Sequence, residues 1–536
     1  MKNFGLLYCL KYKSERPIQM KKTIVALTGT TGGMGSEALK YVIYDNSIDV
    51  VRVLARKPYP ILTDYQKKYG DRFELVVGDM GDYEAVKKLV DGSSYVVNIA
   101  AVIPPKADHD IKGAETCNIK GVENIVNAIK ELKEDRPKLI HISTLALYGD
   151  RNYKHPWVRV GDPLTPSAYD CYATTKTIGE RTVLESGLPD WVVLRQTAML
   201  HKKMLQNNMH DGLMFHTSFN GPLEWVTADD SGRLIRNIIQ EDLDGKLTQD
   251  NFWRRVFNIG GGVGNRITGY EIINQGFAII GGSAKSFMEP KWNALRNFHG
   301  GWFLDTYELD YLTHFITEKV QDYWKQVKKE HWYYSLGRLV PRQVIKKEVI
   351  EKLLTDENSP TQWYKEGLEG RIIANFGSVS KYLSLPETWG DFPLLSENKN
   401  PDDGSYFDYE ALKNPNNAKS LDHGFDEKKK DQDIDIDDLK QAAEFRGGRL
   451  LTKEFRNGDM YNPVEWETHE GTKFFATPYT VLRAGHWEPL KEKEWDFDKK
   501  AKTNPFYAQI WYDSHSKDEN YTYWYDENGV AKYKQD

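Results

Sequence analysis

The apolar positions of the first half of the chain fall into short unbroken runs separated by amphipathic stretches. TIVAL (23–27), VVRVLA (50–55), FELVV (73–77), YVVNIAA (95–101), KLIHIST (138–144) and WVVLRQ (191–196) are rich in Val, Ile and Leu on consecutive positions. Strands buried on both faces, as in a parallel sheet, read this way. Helical patterns lie between them, including YEAVKKLVDG and the stretch from Asn118 to Lys130. The alternation predicts an α/β fold with a doubly wound parallel sheet. VFNI and the helical EIINQGFAII complete that pattern. Helical periodicity returns over 305–385, and 386–436 reads as a polar linker or exposed excursion. Aromatic residues recur every few positions from Asn504 to the end, which predicts strands and a hairpin docked on the body.

Composition narrows the class. A chain of 536 residues exceeds one compact core. A net charge of −6 supplies no basic excess to neutralise phosphates, which argues against a nucleic-acid partner. No run of 18 apolar residues occurs, so no transmembrane segment is expected. Cys9, Cys117 and Cys171 lack metal-like spacing, so no metal is expected, and a reducing, cytoplasmic setting fits. The apolar patch from Phe4 to Leu10 is too short for a secretion signal, and 1–19 reads as an N-terminal extension.

Between the first strand and its helix stands TGTTGGMG, with Gly29, Thr31, Gly32 and Gly35. A glycine turn opening a helix leaves N–H groups and the positive end of the helix dipole facing a pyrophosphate. The tip of the second strand carries Arg56 and Lys57 and no acid. Arg56 there suits a 2′-phosphate, leaning to NADP with NAD left open. Asp79 and Met80 end the third strand, and the small Ala100 and Ala101 end the fourth. Tyr172 and Lys176, four apart on a predicted helix, share one face. A tyrosine pKa of about 10 must fall by about three units for base chemistry at neutrality, roughly 4 kcal/mol. One cation about 4 Å away supplies that at an effective dielectric near 20. Lys176 is expected to be that cation. Cys171 beside Tyr172 has no partnered base and reads as a packed side chain.

These pieces in order (TGTTGGMG, Asp79, NIAA, Asn118, STLALYG, YATTK and LRQTAM) resemble the extended branch of the short-chain dehydrogenase/reductase superfamily over about residues 20 to 350. The resemblance implies a Rossmann core with a smaller substrate region, here followed by a C-terminal α+β extension. It also implies cofactor contacts at Asn118, Tyr172 and Lys176. In its terms Tyr172 is the general acid/base, Lys176 also holds the nicotinamide ribose, and Thr144 orients the substrate oxygen. The chain divides into 1–19, a 20–355 dehydrogenase domain, a 356–442 helical segment and linker, and 443–536.

The substrate side is expected to lie at residues 201–235. Nucleotide-sugar epimerases and dehydratases of this branch present a basic residue where this chain has Asn220 to Glu224, and an acid repels phosphate. Met199, Met204, Met209, Met214, Phe215 and Phe219 suggest a pliable apolar pocket. The reading is therefore an oxidoreductase acting on a sterol-like or lipid-like alcohol or ketone. The alternatives are a nucleotide-sugar epimerase/dehydratase and a cofactor-sensing regulator; self-association is left open. His210 and His216 read as structural, and Gly260 to Gly264 as a turn. Trp324, Trp332, Tyr333 and Tyr334 are expected in the core or a pocket lid, or alternatively on a surface for a membrane or second subunit. Residues 443–490 resemble a treble-clef zinc module whose ligand places hold Thr468, Thr472, Glu488 and Lys491. None of these is a soft ligand. Trp466, Phe474, Phe475 and Trp487 are expected to pack in place of the metal, with His469 and His486 as remnants.

Overall fold

The computed structural model describes residues 22–202, 204 and 212–536. The 1–19 extension, Met209 and His210 lie outside the described residues. The first part of the chain runs β1 (Ile24–Leu27), α1 (Gly33–Tyr44), β2 (Val50–Ala55), α2 (Pro60–Tyr69), β3 (Phe73–Val77), α3 (Tyr83–Val90) and β4 (Tyr95–Asn98). It continues with α4 (Gly121–Glu131), β5 (Lys138–Thr144), α5 (Cys171–Leu184), β6 (Trp191–Gln196), α6 (Ala228–Leu243) and β7 (Arg255–Ile259). These strands form one parallel sheet in the order β7-β6-β5-β4-β1-β2-β3. It is a Rossmann sheet, and its order reverses between β1 and β4, which opens a crevice at their carboxyl ends.

Strand alternation sends Val25 and Leu27 to one face, against Leu39 and Val42 of α1 and Ile235 of α6. Ala26 faces the other side with Val86, Val126 and Val183 of α3, α4 and α5. Side-chain caps fix the helix starts: Asp82 on α3, Asp170 on α5 and Thr227 on α6.

The second core continues without a break into the C-terminal region, through Trp466, Tyr479, Trp487 and Phe506. Trp466 and Phe474 pack on Trp487 at 5.7 and 5.1 Å between ring centres. Phe475 departs from expectation: alternation along the strand Lys473–Ala476 turns it outward, 66% exposed. Thr468 and Thr472 hydrogen-bond to each other across the hairpin turn. Residues 505–511 form a helix capped by Asn504, not a strand; the expected hairpin is Tyr521–Tyr525 with Ala531–Gln535.

Residues 386–436 are no free excursion. Leu394, Leu395 and Tyr409 are buried, Tyr409 Oη donates to Glu271 (2.6 Å), and Glu427 pairs with Arg159 (2.6 Å). Single apolar anchors spaced irregularly leave no periodic signal, so the sequence shows only the polar residues between them. Trp324 is buried, whereas Trp332 and Tyr333 are 65% and 44% exposed. No helix among the described residues is long and apolar enough to cross a membrane.

Candidate active site

The glycine turn sits at the carboxyl end of β1, facing the crevice. Gly29 has φ +71°, and a Cβ there would lie 2.7 Å from the Ala100 backbone nitrogen. At Gly35 a Cβ would stand 2.1 Å from the Gly29 carbonyl oxygen. Both positions admit only glycine. Gly32 differs: its backbone is extended (φ −85°), and an added Cβ would meet only the Gly29 oxygen, at 3.4 Å. Gly32 is the N-cap of α1, no side chain caps that helix, and Thr31 and Gly32 are exposed. An uncapped helix start beside open space fits a pyrophosphate.

Thr28 anchors the facing strand end. Its hydroxyl accepts from the Ile99 and Ala100 nitrogens (3.0 Å each) and donates to Asn98 Oδ1 (2.8 Å). Ala101 follows, half-buried. Arg56 and Lys57 are exposed at the tip of β2. Asp79 accepts from the Gly81 nitrogen (3.0 Å), and Met80 is buried, its carbonyl taken by Asn124. Burial pushes the Cys117 thiol up to about 11, within the fields of Lys176, Asp79 and Arg56. Asn118, in the π-helical turn Thr116–Lys120, clasps Val102 through both backbone atoms and donates to Thr175 Oγ1 (3.1 Å). It ties the loop after β4 to α5.

Tyr172 and Lys176 stand one turn apart on α5, with Thr144 at the end of β5. Thr144 Oγ1 accepts from the Ala146 nitrogen (3.1 Å) and faces the Tyr172 phenol. Lys176 is 2% exposed, and its Nζ donates to the Ile142 carbonyl (2.6 Å). Burial lowers its pKa to about 8, against the opposing fields of Cys117 and Glu180. The expected lowering of Tyr172 by Lys176 is not found. Burial pushes the phenol up to about 12, the Thr144 hydroxyl offsets part of this, and the Asp170 charge adds to it. The ammonium is engaged by β5 rather than by the phenol. Cys171 is buried, which drives its thiol upward.

Two groups escaped the sequence reading. Glu180, one turn beyond Lys176, forms a fully buried pair with Arg195 (2.6 Å) and accepts from Ser143 Oγ (2.5 Å). Arg195 also donates to Tyr148 Oη (2.6 Å) and the Ala484 carbonyl (2.7 Å). The spacing of Tyr172, Lys176 and Glu180 by four was readable as one helix face. The third partner was not: His486 meets Glu180 Oε1 through Nε2 at 3.0 Å. Burial drops its pKa to about 4, so at neutrality the ring is uncharged and Nε2–H donates. His141, a polar residue inside an apolar strand, takes the Asn98 amide on Nδ1 (3.1 Å), while its buried Nε2 has no partner among the described residues.

On the expected substrate side the described members of the Met and Phe set have gone elsewhere. Met204, Phe215 and Phe219 are core, Met214 packs on core, and Met199 lies against Gly33. Glu224 is fully buried with Arg266 (2.9 Å) and accepts from the Gly262 and Phe303 nitrogens. It is an internal ion pair and repels nothing in the cleft. Beside the start of α5 lies a cavity of about 50 Å³ whose walls include Tyr169, Asp170, His216, His299 and Arg371. The Arg371 guanidinium lies over the Tyr169 and Trp363 rings, at 5.6 and 5.4 Å. His216 Nε2 is bound to the Asn358 carbonyl (2.7 Å), the structural role expected of it. The two clusters with metal-like geometry among the described residues, Asp498/His515/Glu519 and Asp229/Asp230/Glu318, do not involve Thr468, Thr472, Glu488 or Lys491.

Comparison with known proteins follows this division. Residues 26–195 match the model of the 3-beta hydroxysteroid dehydrogenase/isomerase family. An uncharacterized oxidoreductase of Saccharomyces cerevisiae is 26% identical over 174 residues, which is 30% of this chain and 66% of that protein, just under two thirds. Among solved structures, dTDP-glucose 4,6-dehydratase of Bacillus anthracis in complex with NAD is 16% identical, with a TM-score of 0.46 over 58% of this chain and 98% of that one. The Streptomyces venezuelae dehydratase DesIV, with NAD and TYD bound, is 19% identical, with a TM-score of 0.45 over 58% and 98%. Residues 26–195, about a third of the chain, are thus similar in sequence to the 3-beta hydroxysteroid dehydrogenase/isomerase family, and they carry most of the Rossmann sheet.

Proposed function

We propose that the protein is an NAD(P)-dependent oxidoreductase of the extended short-chain dehydrogenase/reductase type, interconverting an alcohol and a ketone. The observation that supports this reading is Thr144, at the carboxyl end of β5, facing Tyr172 one turn from Lys176 on α5, in a sheet whose carboxyl ends also carry the uncapped glycine turn. Thr31 and Gly32 would hold the pyrophosphate, Arg56 the adenosine end and Lys176 the nicotinamide ribose. Bound there, the nicotinamide supplies the hydride acceptor or donor. Tyr172 exchanges the proton with the substrate oxygen, and the Thr144 hydroxyl orients that oxygen. A phenol held near 12 in the free site keeps its proton, which suits it to donate during ketone reduction. Its action as a base requires added positive charge in the groove.

The similarity of residues 26–195 to a hydroxysteroid dehydrogenase/isomerase family supports a relatively apolar, sterol-like or lipid-like substrate. A second reading, a nucleotide-sugar epimerase or dehydratase, gains from the internal pairing of Glu224, which removes the charge expected to repel a diphosphate. A fluorescence titration with NADP and NAD, then turnover with hydroxysteroids, other apolar alcohols and nucleotide sugars, separates the two. Net cofactor reduction by an apolar alcohol supports the first. A retained NAD with no net redox change on a nucleotide sugar supports the second and refutes the first.

A further inference from the structure

The helix Val320–Glu330 leads into a tight 3₁₀ segment, Trp332–Leu339, and a short helix, Arg342–Ile345. Large apolar side chains normally turn inward in such a stretch. Here six face solvent: Trp332 (65% exposed), Tyr333 (44%), Leu336 (52%), Leu339 (80%), Val340 (40%) and Val344 (46%). The backbone beneath them is fixed to the body. Gly337 fits against Ile280, the Arg338 stem lies on Gly281, and Trp332, Tyr333 and Tyr334 pack edge to face. These residues are therefore held outward by a seated segment. Six large apolar side chains exposed within thirteen residues are a local density of the kind that marks an interaction site.

The charge around the patch selects the partner. Nearby lysines are already committed: Lys325 to Asp322, Lys346 to Glu289 and Lys352 to Glu348. Lys328, Lys329, Arg338, Arg342 and Lys347 enter none of the ion pairs among the described residues, and all five are exposed. A chain of net charge −6 thus bears a local group of uncompensated cations around exposed Trp, Tyr and Leu. A protein partner of like composition would leave those cations facing one another. An anionic bilayer surface satisfies both features, since cations meet the headgroups while aromatic and aliphatic tips enter the acyl boundary.

We propose that residues 328–347 dock the protein on an anionic lipid surface, lying in the interface without crossing it. Tyr334 seats the patch on the core cluster that holds Leu200 and Met204. Docking stands independently of the reaction, because its residues belong to neither the glycine turn nor the Tyr172 site.

The test is co-sedimentation of the full chain with phosphatidylcholine vesicles, with and without phosphatidylserine. The expected result is binding to the mixed vesicles, weakened by salt and at least tenfold weaker on phosphatidylcholine alone. Trp332→Ala with Leu339→Ser should abolish it, and Arg338→Gln and Arg342→Gln should each weaken it about fivefold. All variants should keep the parent melting temperature and NADP affinity. The proposal is overturned if the parent fails to sediment with either vesicle, or if the apolar variant binds as the parent does. It is equally overturned if the parent is a dimer in solution that the apolar variant converts to monomer, for then a second copy covers the patch.

Discussion

Replacing Glu180 by Gln removes the only carboxylate that faces Arg195 within the described ion pairs and leaves a guanidinium buried at 0% exposure. Breaking one half of a buried pair costs about 3–5 kcal/mol. For an unfolding unit of 150–250 residues that corresponds to a fall of roughly 6–20 °C in melting temperature. The cost should depend on pH. The Arg195 charge holds the Glu180 carboxyl well below the usual range, against burial. A depressed carboxyl stabilises the fold above its unfolded value of about 4.3 and loses that contribution as pH falls through the folded value. The gap between parent and Glu180→Gln should therefore be widest near neutrality and close in acid. Glu180→Met combined with Arg195→Met removes both charges and should be less damaging than the sum of its singles. It still leaves His486, Tyr148 and the Ala484 carbonyl short of partners, so recovery should be partial. Urea unfolding of the four proteins at neutral and acid pH reads this directly. A Glu180→Gln cost under about 1 kcal/mol, or strictly additive singles, would refute the buried-pair account.

The proposed catalytic residues give further predictions. Tyr172→Phe should lower kcat about 10²–10⁴-fold at unchanged cofactor affinity, measured by cofactor absorbance; retained turnover would remove Tyr172 as the proton-transfer group. Lys176 has a folded pKa of about 8, below its unfolded value, so the unfolded chain binds more protons between the two and stability should rise with pH across that window. Lys176→Met should accordingly stabilise the fold near neutrality, by at most about 3 kcal/mol, and less at high pH; urea melts at both ends of the window check it. Arg56→Glu should weaken NADP about tenfold and leave NAD unchanged in parallel titrations. Equal affinities in the parent would already deny Arg56 that role.

The sheet was legible because each strand of a buried parallel sheet is an unbroken apolar run, and the helices between them carry their own period. The glycine turn and the pair Tyr172 and Lys176 were legible because their signal is local spacing. Pairings across hundreds of residues were not. Nothing in Glu224 announces Arg266, and nothing in His486 announces Glu180. Burial was misjudged wherever composition stood in for position. Phe215 and Phe219 look like pocket residues in sequence and are core, while Trp332, read as core or lid with a surface as the alternative, is exposed. The Tyr172 pKa erred for a related reason: a shared helix face puts Lys176 nearby, but the Ile142 carbonyl holds its ammonium.

The proposed dinucleotide site at the glycine turn underlies the whole account, and Gly32 tests it without requiring a substrate. Its extended backbone accepts any residue, and a Cβ there meets only one atom, at 3.4 Å. Gly32→Val should therefore fold and melt like the parent while its side chain fills the space that the pyrophosphate needs. Titration of both proteins with NADPH and NADH, followed by fluorescence, is the measurement. Saturable binding by the parent, lost in Gly32→Val at unchanged melting temperature, is the predicted result. A parent that binds neither nucleotide, or a variant that binds as well as the parent, would contradict it.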